Sequence, residues 1–573
     1  MKKTISVFIA ITLLICTLNT AAAAQGDVSD LCFAVASDLH YNIPSESLEW
    51  LHDTPVFWYA NRRAAMEEES SFIIDEFLRQ CANDASCEYV LISGDLADHG
   101  RTIIEEHYAV AEKLRAFEES TGKEVFVING NHDMGASTAT DVAGFKEIYA
   151  QFGYDKALVK DEATCSYTAD LGTKYRLIAL DSCDYNASTQ DGLTTERLKW
   201  VKEQAQRAED DGRHPILMMH HNVLDHMPLQ TILSSDFIVK NHLTVAELFA
   251  DWGIKLVFTG HEHCSDATSF TSAQGNVIYD FATTSLTMYP LAYRVFSLTD
   301  DEISYKAVTV EHIDTDALTA AVSGYTDEHT SLMNNGLNAY ALQFLKAGIR
   351  YRLERSLSAE KLGVSESDIY YDLVMTAVNG LTDILEMPLY GENSAQELAK
   401  EYGLEIPDSG YENGWDLVTS LVAMHYAGEE AYTLDSTEVT VLLRTAALIL
   451  RTDLPAISDE LLLGAADAIM AHLGTLPYAQ ELKNLGIISS APVTPAEYFL
   501  LAIASPLIYS FAYDDDGIND NNGVLPGYGT VSFTGNLNNI FLNTENILST
   551  LIKYMNLVLG YLAKLGINIP AQQ

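Results

Sequence analysis

Short runs of β-branched and aromatic residues punctuate the first half of the chain, separated by stretches whose apolar positions recur every three or four residues. The runs fall at residues 32–36, 89–93, 124–128, 175–180, 215–219, 255–258 and 277–281, and the helix-period stretches at 66–81, 105–119, 195–207 and 244–252. Strands alternating with helices of this length predict an α/β layer structure around a mostly buried sheet, because the connecting helices must cover the faces that the strands present. Residues 166–170 and 175–180, turning at Gly172, predict a hairpin, and residues 294–297 and 303–309, joined at Asp300-Asp301, predict another that closes the unit near residue 310.

Beyond residue 311 the period changes. Leu337, Tyr340, Leu342, Phe344, Leu345 and Ile349 are spaced by about three and four, residues 439–450 and 461–469 follow suit, and few β-rich runs intervene. These patterns predict amphipathic helices. A chain of 573 residues is also too long for one core. The expected division is a signal segment at 1–24, an α/β unit at 25–310 and a mainly helical C-terminal domain at 311–573. The acidic stretch at 514–523 resembles a calcium loop only superficially. With Gly517 at the loop's glycine position, Ala512 stands where the first ligand belongs and no glutamate follows at the needed spacing, so a solvated loop is expected. Residues 542–569 are apolar but carry Lys553 and Lys564, which fits a packing helix or an oligomer contact better than a membrane span.

Lys2 and Lys3, an apolar run at 7–18 and the small residues Ala21-Ala22-Ala23-Ala24 have the pattern of a secretory signal cleaved near Ala24. Lipoprotein anchoring at Cys16 is the weaker alternative, since Ile15 stands where a small residue is wanted. The mature protein is therefore expected to be secreted or extracytoplasmic. Its formal charge of -46, from 34 basic and 80 acidic residues, argues against nucleic acid as a partner, because such binding rests on basic groups that neutralise phosphates. Six cysteines follow the signal, Cys32, Cys81, Cys87, Cys165, Cys183 and Cys264. In an exported protein they can pair or stay buried and free, and none has the CxxC spacing of a zinc site.

Five polar clusters each fall just after a predicted strand: Ser37-Asp38-Leu39-His40, Gly94-Asp95-Leu96-Ala97-Asp98, Gly130-Asn131-His132-Asp133, His220-His221 and Gly260-His261-Glu262-His263. Ligands of open α/β sheets gather at the carboxyl ends of strands, so five clusters on one sheet edge predict one site. Imidazole mixed with carboxylate, without thiolate, suits zinc, iron or manganese. The donors outnumber what one ion needs, which favours two ions with a shared carboxylate. Each cluster alone is a common surface turn or helix cap, and the weight lies in their joint order and placement.

Across about residues 31–310 these clusters resemble the motif set DxH, GDxxD, GNH[DE], a lone His and GHxH of the calcineurin-like metallophosphoesterase superfamily. The resemblance implies a two-layer β-sandwich flanked by helices, with a dinuclear centre that hydrolyses a phosphate mono- or diester through a water activated between the metals. It implies that Asp38, His40 and His263 hold one metal, that Asn131, His220 and His261 hold the other, and that Asp95 bridges them. His132 would act on the leaving group, oriented by Asp133. His221 would donate to a phosphate oxygen or support its neighbour. Asp98 occupies the position where purple acid phosphatases carry a tyrosine ligand, so no tyrosinate-coloured iron centre is expected. Ala179-Leu180-Asp181-Ser182, Asp191-Gly192-Leu193 and Arg197-Leu198-Lys199-Trp200 are similar to the cyclic-nucleotide phosphodiesterase-like branch, and the helical C-terminus argues against the secreted nucleotidases.

Two other readings belong to different classes. A silent binding or scaffold protein would show missing ligands, whereas every motif position is filled. A lipid-directed phosphodiesterase using the helical domain sits poorly with the acidic charge. Between the first two clusters, Tyr41, His52, Trp58, Tyr59, Arg62 and Arg63 form either a pocket wall or a packing loop. A small-molecule phosphate ester is the expected partner, with no transmembrane span in the mature chain and homo-oligomerisation through the C-terminal helices left open.

Overall fold

The computed structural model describes residues 31–359 except 46, 49–56, 58–63, 187–190 and 229, then 371–433, 436–452, scattered positions between 459 and 500, 514 and 516–529. Residues 1–24, expected to be a signal segment, residues 542–569, part of 461–469 and His52, Trp58, Tyr59, Arg62 and Arg63 lie outside the described residues.

Two mixed sheets carry the N-terminal unit. In the first, β1 (Leu31–Ala36), β2 (Tyr89–Ile92) and β3 (Glu124–Val127) are parallel, and β11 (Ala292–Leu298), β12 (Glu302–Thr309) and β13 (Asn522–Pro526) continue antiparallel beyond β1. In the second, β6 (Tyr175–Ala179), β7 (His214–Met218), β8 (Leu256–Thr259) and β10 (Val277–Ala282) are parallel. That sheet is edged by β4 (Val159–Lys160) and β5 (Tyr167–Leu171) on one side and by β9 (Asp266–Thr271) on the other. The parallel strands are buried along almost their whole length, which is why they read as continuous apolar runs rather than alternating ones.

The sheets meet through aromatic rings. Phe33 of β1 lies 5.5 Å from Phe258 of β8, and Phe296 of β11 lies 4.7 Å from Phe258 and 4.9 Å from Phe281 of β10. All four are fully buried, and their edge-to-face packing adds to the burial of large apolar area. Helices cover the outer faces: α1 (Ser70–Asn83), α2 (Ile104–Thr121), α3 (Val142–Ile148), α4 (Thr195–Asp210), α5 (Gln230–Leu233) and α6 (His242–Asp251). Phe77 of α1 packs on Tyr293 of β11. Leu198 and Val201 of α4 and Val245 and Phe249 of α6 pack with Ile178, Leu217 and Val257 of the second sheet. Helix α4 starts where Thr194 accepts the Arg197 amide, and it ends with Arg207 in its last turn, complementing the helix dipole. Helix α1 begins four residues after the predicted 66 because the Met66 amide is drawn to the Thr287 carbonyl, 2.8 Å away.

The C-terminal part is helical, as its spacing predicts: α7 (Thr315–Ala321), α8 (Asp327–Asn335), α9 (Leu337–Ser356), α10 (Tyr371–Glu386), α11 (Ala395–Glu401), α12 (Gly414–Ala427) and α13 (Thr437–Thr452). Leu389, Leu417, Val441 and Leu448 belong to a core of its own, while Leu345 and Ile349 of α9 pack against Met288 of the N-terminal unit. No helix among the described residues is long and apolar enough to cross a membrane.

The division at residue 311 is not clean. Strand β13 returns to the edge of the first sheet, pairing Leu525 with Ile303 of β12. Its five residues contain a glycine and a proline, too little pattern to read as a strand, and Pro526 is tolerated at an edge. Arg294, fully buried, locks this return. Its guanidinium donates to the Asp520 carbonyl at 3.1 Å, the Ser265 hydroxyl at 2.9 Å and the Ala282 carbonyl at 2.5 Å. The six cysteines from Cys32 onward are all free and buried, with Cys32 and Cys87 holding their sulfurs 3.0 Å apart.

Candidate metal centre

The five clusters converge at the carboxyl ends of β1, β2, β3, β7 and β8, and the backbone is bent hard to bring them there. Asp38, His40, Asp95, His261 and His263 have φ of 50°, 40°, 50°, 69° and 63°. Left-handed backbone at a non-glycine residue costs roughly 1–2 kcal/mol, and such strain concentrates at sites whose surroundings over-determine it. Glycines make the close approach feasible. A Cβ on Gly130 would overlap Asp95 Oδ1 and stand 2.5 Å from the Asp95 amide, and one on Gly260 would overlap Ser37 Oγ and Asp38 Oδ2.

Three overlapping groups of donors result, each with ligand atoms within 4.8 Å of one another: Asp38, His40 and His263 on one side, Asp95, His220 and His261 on the other, and His40, Asp95 and His132 between. Asp95 stands between them. Its Oδ1 accepts the His132 amide at 2.8 Å, leaving Oδ2 3.8 Å from His40 Nε2 and 3.3 Å from His220 Nε2. Asn131 joins the second group, its Oδ1 3.0 Å from His220 Nε2. The imidazoles are set to present Nε2. His40 Nδ1 faces Asp98 Oδ1 at 2.9 Å, and His220 Nδ1 donates to the Ser93 carbonyl at 3.0 Å. A partner on one ring nitrogen fixes the lone pair on the other, the arrangement that orients metal ligands.

Donor chemistry and burial together fit a pair of cations. Asp38 Oδ1, Asp95 Oδ2 and His261 Nε2 are buried with no hydrogen-bond partner among the described residues, and orphaned polar atoms of this kind are costly unless something else satisfies them. Burial alone would raise the Asp95 carboxyl, yet His220, His132 and His40 hold it well below the usual carboxylate range. Burial alone would lower His220, but Asp95 and Asp38 push it up to about 9, a measure of how strongly these carboxylates draw positive charge. His40 is lowered to about 4, by burial first. Burial, with His221 and His220 alongside, keeps His261 well below its ordinary value.

Residues expected to act on substrate are placed less uniformly. His132 lies at the rim, partly exposed, its Nδ1 2.8 Å from the Asp98 carbonyl. Asp133 does not orient it. The Asp133 carboxylate is fully buried and accepts the Ala97 amide at 3.0 Å and the Gly130 amide at 2.8 Å, so it holds the two metal-site loops together. Two amide donors within the loops satisfy that carboxylate, and the GNHD pattern does not reveal which way it turns. His221 Nδ1 is 2.9 Å from Ser182 Oγ, and its ring packs 4.6 Å from that of His261.

Several contributors escaped the sequence reading. Asp98, visible in its cluster but assigned no task there, serves His40 through its carboxylate and His132 through its carbonyl. Ser182, from the run after β6, seats His221. Asp181 beside it anchors that loop through Asn129, Cys165 and Tyr185. Phe237 stacks on His261 at 4.4 Å, and Met288 Sδ lies 3.0 Å from His263 Nδ1. Neither has a signal in sequence, since apolar residues distant along the chain are indistinguishable from core.

Residues 32–265 match the family described as calcineurin-like phosphoesterase. No curated protein sequence is significantly similar to the chain. Among solved structures, a dimetal phosphatase from Danio rerio is similar at 11% identity and a TM-score of 0.36, over 49% of this chain and 96% of its own. A purple acid phosphatase from yellow lupin (Lupinus luteus) shows 9% identity and a TM-score of 0.33, over 49% and 51%. A putative 5'-nucleotidase from Staphylococcus aureus shows 12% and 0.30, over 47% and 51%. The chain thus spans nearly all of the first of these and about half of the other two. The match over residues 32–265 supports a metal-dependent phosphoric ester hydrolase, and the matched family implies a dinuclear metal centre, for which the donor groups above are candidates.

Two predictions follow from the packing here. Gly130→Ala forces Asp95 out of position. It is expected to lower bound metal by elemental analysis and turnover by about 10–100-fold while the far-ultraviolet circular dichroism stays native; unchanged metal and rate would show that the loop accepts a Cβ. His107 of α2 is buried, with Nε2 2.8 Å from the Asp133 carbonyl and Nδ1 2.9 Å from the Tyr149 hydroxyl, and burial lowers it to about 4. The unfolded chain, with imidazole near 6.5, binds the extra proton between those values. Stability is therefore present above about 6.5 and lost as pH falls toward 4, by about 3 kcal/mol from this group. Urea denaturation of wild type against His107→Gln across that range should show a shallower acid slope in the variant, and parallel slopes would contradict the assignment.

Proposed function

We propose that this is an exported hydrolase of a small phosphate mono- or diester, acting at a dinuclear site. The observation that carries the reading is the position of Asp95 Oδ2, buried, without a hydrogen-bond partner and between two histidine-rich donor groups. Asp38, His40 and His263 would hold one ion and Asn131, His220 and His261 the other, with Asp95 shared. Iron, manganese or zinc matches the donor set. When bound, such a pair supplies Lewis acidity toward phosphoryl oxygens and a water acidified into the neutral range.

The chain's own residues do the rest. His132, with Nδ1 committed to the Asp98 carbonyl, keeps Nε2 for the substrate, and a protonated ring there would deliver a proton to the departing alkoxide oxygen. The Ser182 hydroxyl accepts the His221 amide at 3.2 Å and lies 2.9 Å from His221 Nδ1, so it holds that ring with Nε2 left over. With a proton on Nε2 that ring would donate to a phosphoryl oxygen. The basic, apolar and small-residue pattern of the first 24 residues supports export.

Purified enzyme is expected to hold about two transition-metal ions per chain and to cleave bis-p-nitrophenyl phosphate, p-nitrophenyl phosphate or both. Asp95→Asn should cut turnover by at least ~100-fold. A variant as fast as wild type would refute the proposal, and metal content without cleavage of any ester would point to a binding protein instead.

A further inference from the structure

The first sheet holds a second pair of reactive groups at its other end, away from the metal-binding loops. Cys32 is the second residue of β1, and Cys87 lies in the turn that leads from α1 into β2. The two stand 55 residues apart in sequence, yet their sulfurs are 3.0 Å from each other and both side chains are buried. The backbone around them is fixed. The Glu88 amide donates to the Cys32 carbonyl at 3.1 Å, and the Ser86 amide and hydroxyl donate to Asp84 Oδ1 at 2.9 and 2.5 Å. Lys123 pins the same turn, donating to the carbonyls of Cys81 and Asp84, each at 2.5 Å.

A covalent S–S bond is ~2.05 Å long, so the sulfurs have only about 1 Å to close. Side-chain rotation covers that distance while the strands stay in place. The six cysteines also differ in chemistry. The Cys87 thiol, hydrogen-bonded to Cys32, draws the Cys32 thiol below its ordinary value, and a thiol lowered in this way supplies the attacking thiolate in disulfide exchange. Burial pushes Cys81 up to about 12 and lifts Cys165, Cys183 and Cys264 well above the ordinary value, which leaves them inert. Their neighbours are of other kinds: Cys165 Sγ meets Met134 Sδ at 3.4 Å, and Cys183 Sγ lies 3.9 Å from the Asn129 carbonyl oxygen.

We propose that Cys32 and Cys87 are a disulfide site, closed as the chain folds in contact with a disulfide oxidant. With that oxidant written RSSR, the Cys32 thiolate attacks one of its sulfurs, forming a mixed disulfide and releasing RS−. The Cys87 thiolate then attacks the Cys32 sulfur, the new S–S bond forms and the second RS− leaves. The pair gives up two electrons and two protons, and both pass to the oxidant, which ends as two RSH. Folding is the moment of access, since the finished pair lies beneath the exposed Ala85 and Ser86 with only 6% and 3% of Cys32 and Cys87 reached by solvent. The inference rests on the export proposed above only for the place where such an oxidant is met. The bond would tie together the starts of β1 and β2, neighbouring parallel strands whose other ends lead into Asp38 and Asp95. It closes a long loop that includes Asp38, His40 and α1, and such a closure stabilises chiefly by restricting the unfolded chain.

The test uses the metal-loaded full-length protein made twice, once directed to an oxidising bacterial periplasm and once in a reducing cytosol. Each batch is denatured, alkylated with iodoacetamide and mapped by non-reducing peptide mass spectrometry. Periplasmic protein is expected to show Cys32 joined to Cys87, with Cys81, Cys165, Cys183 and Cys264 alkylated, and cytosolic protein to be alkylated at both members of the pair. The bridged protein should melt at least ~5 °C higher. Cys87→Ser and Cys87→Ala should melt at the same temperature from either compartment. Alkylated Cys32 and Cys87 in folded periplasmic wild type, a bridge between any other pair, or equal Tm for the two wild-type batches overturns the proposal. A bridge in periplasmic protein but free thiols in protein purified from its own cells supports the pair and counts against export, so the two readings fail separately.

Discussion

Asp95 is a carboxylate with 1% exposure, one oxygen taken by a backbone amide and the other facing imidazoles on two sides. Burying such a charge is costly unless opposite charge and hydrogen bonds surround it, and the local structure supplies both. The Gly94–Asp98 and Gly130–Asp133 loops interlock around it. Gly130 has no side chain because Asp95 occupies that space, and Asp133 accepts an amide from each loop. Positive φ at five site residues is the conformational expense of the same convergence. The two sheets exist, in effect, to hold five strand ends in register against that strain, and the aromatic packing of Phe33, Phe258, Phe281 and Phe296 fixes one sheet relative to the other.

Much of this was legible in the sequence because parallel strands buried on both faces leave unmistakable apolar runs, and because a polar cluster straight after such a run can only sit at a strand end. The strands carrying Asp38, Asp95, Asn131, His220 and His261 were all visible in this way, to within a residue or two. The direction of a side chain within its cluster was not. Asp133 follows His132 in sequence, but it turns inward to the amides of Ala97 and Gly130, and Asp98 takes over the task of seating His132. Strand β9 alternates too weakly to stand out, half of its residues being solvent-facing polar ones. Strand β13 is five residues long and owes its conformation to β12 rather than to its own propensity.

The helical region is tied to the hydrolytic unit more closely than a boundary at residue 311 implies. Helix α9 packs beneath Met288, whose sulfur also meets His263, and the segment from Asp514 to Tyr528 threads back past Arg294 to the sheet edge, where the Tyr528 hydroxyl donates to the Pro215 carbonyl at 3.1 Å. Contacts of this kind transmit rigidity to the strand ends, since close-packed interiors deform little. They also explain why Asp520 is buried just before β13: it lies on the path by which the chain must return.

The account stands on convergence of the two donor groups on a pair of ions. Anomalous diffraction from crystals of the manganese-loaded enzyme, recorded at the manganese edge, tests it most directly. Two peaks roughly 3.5–4 Å apart are predicted, flanking Asp95, with Asp38, His40 and His263 on one side and Asn131, His220 and His261 on the other. A single peak, or peaks away from Asp95, would contradict it.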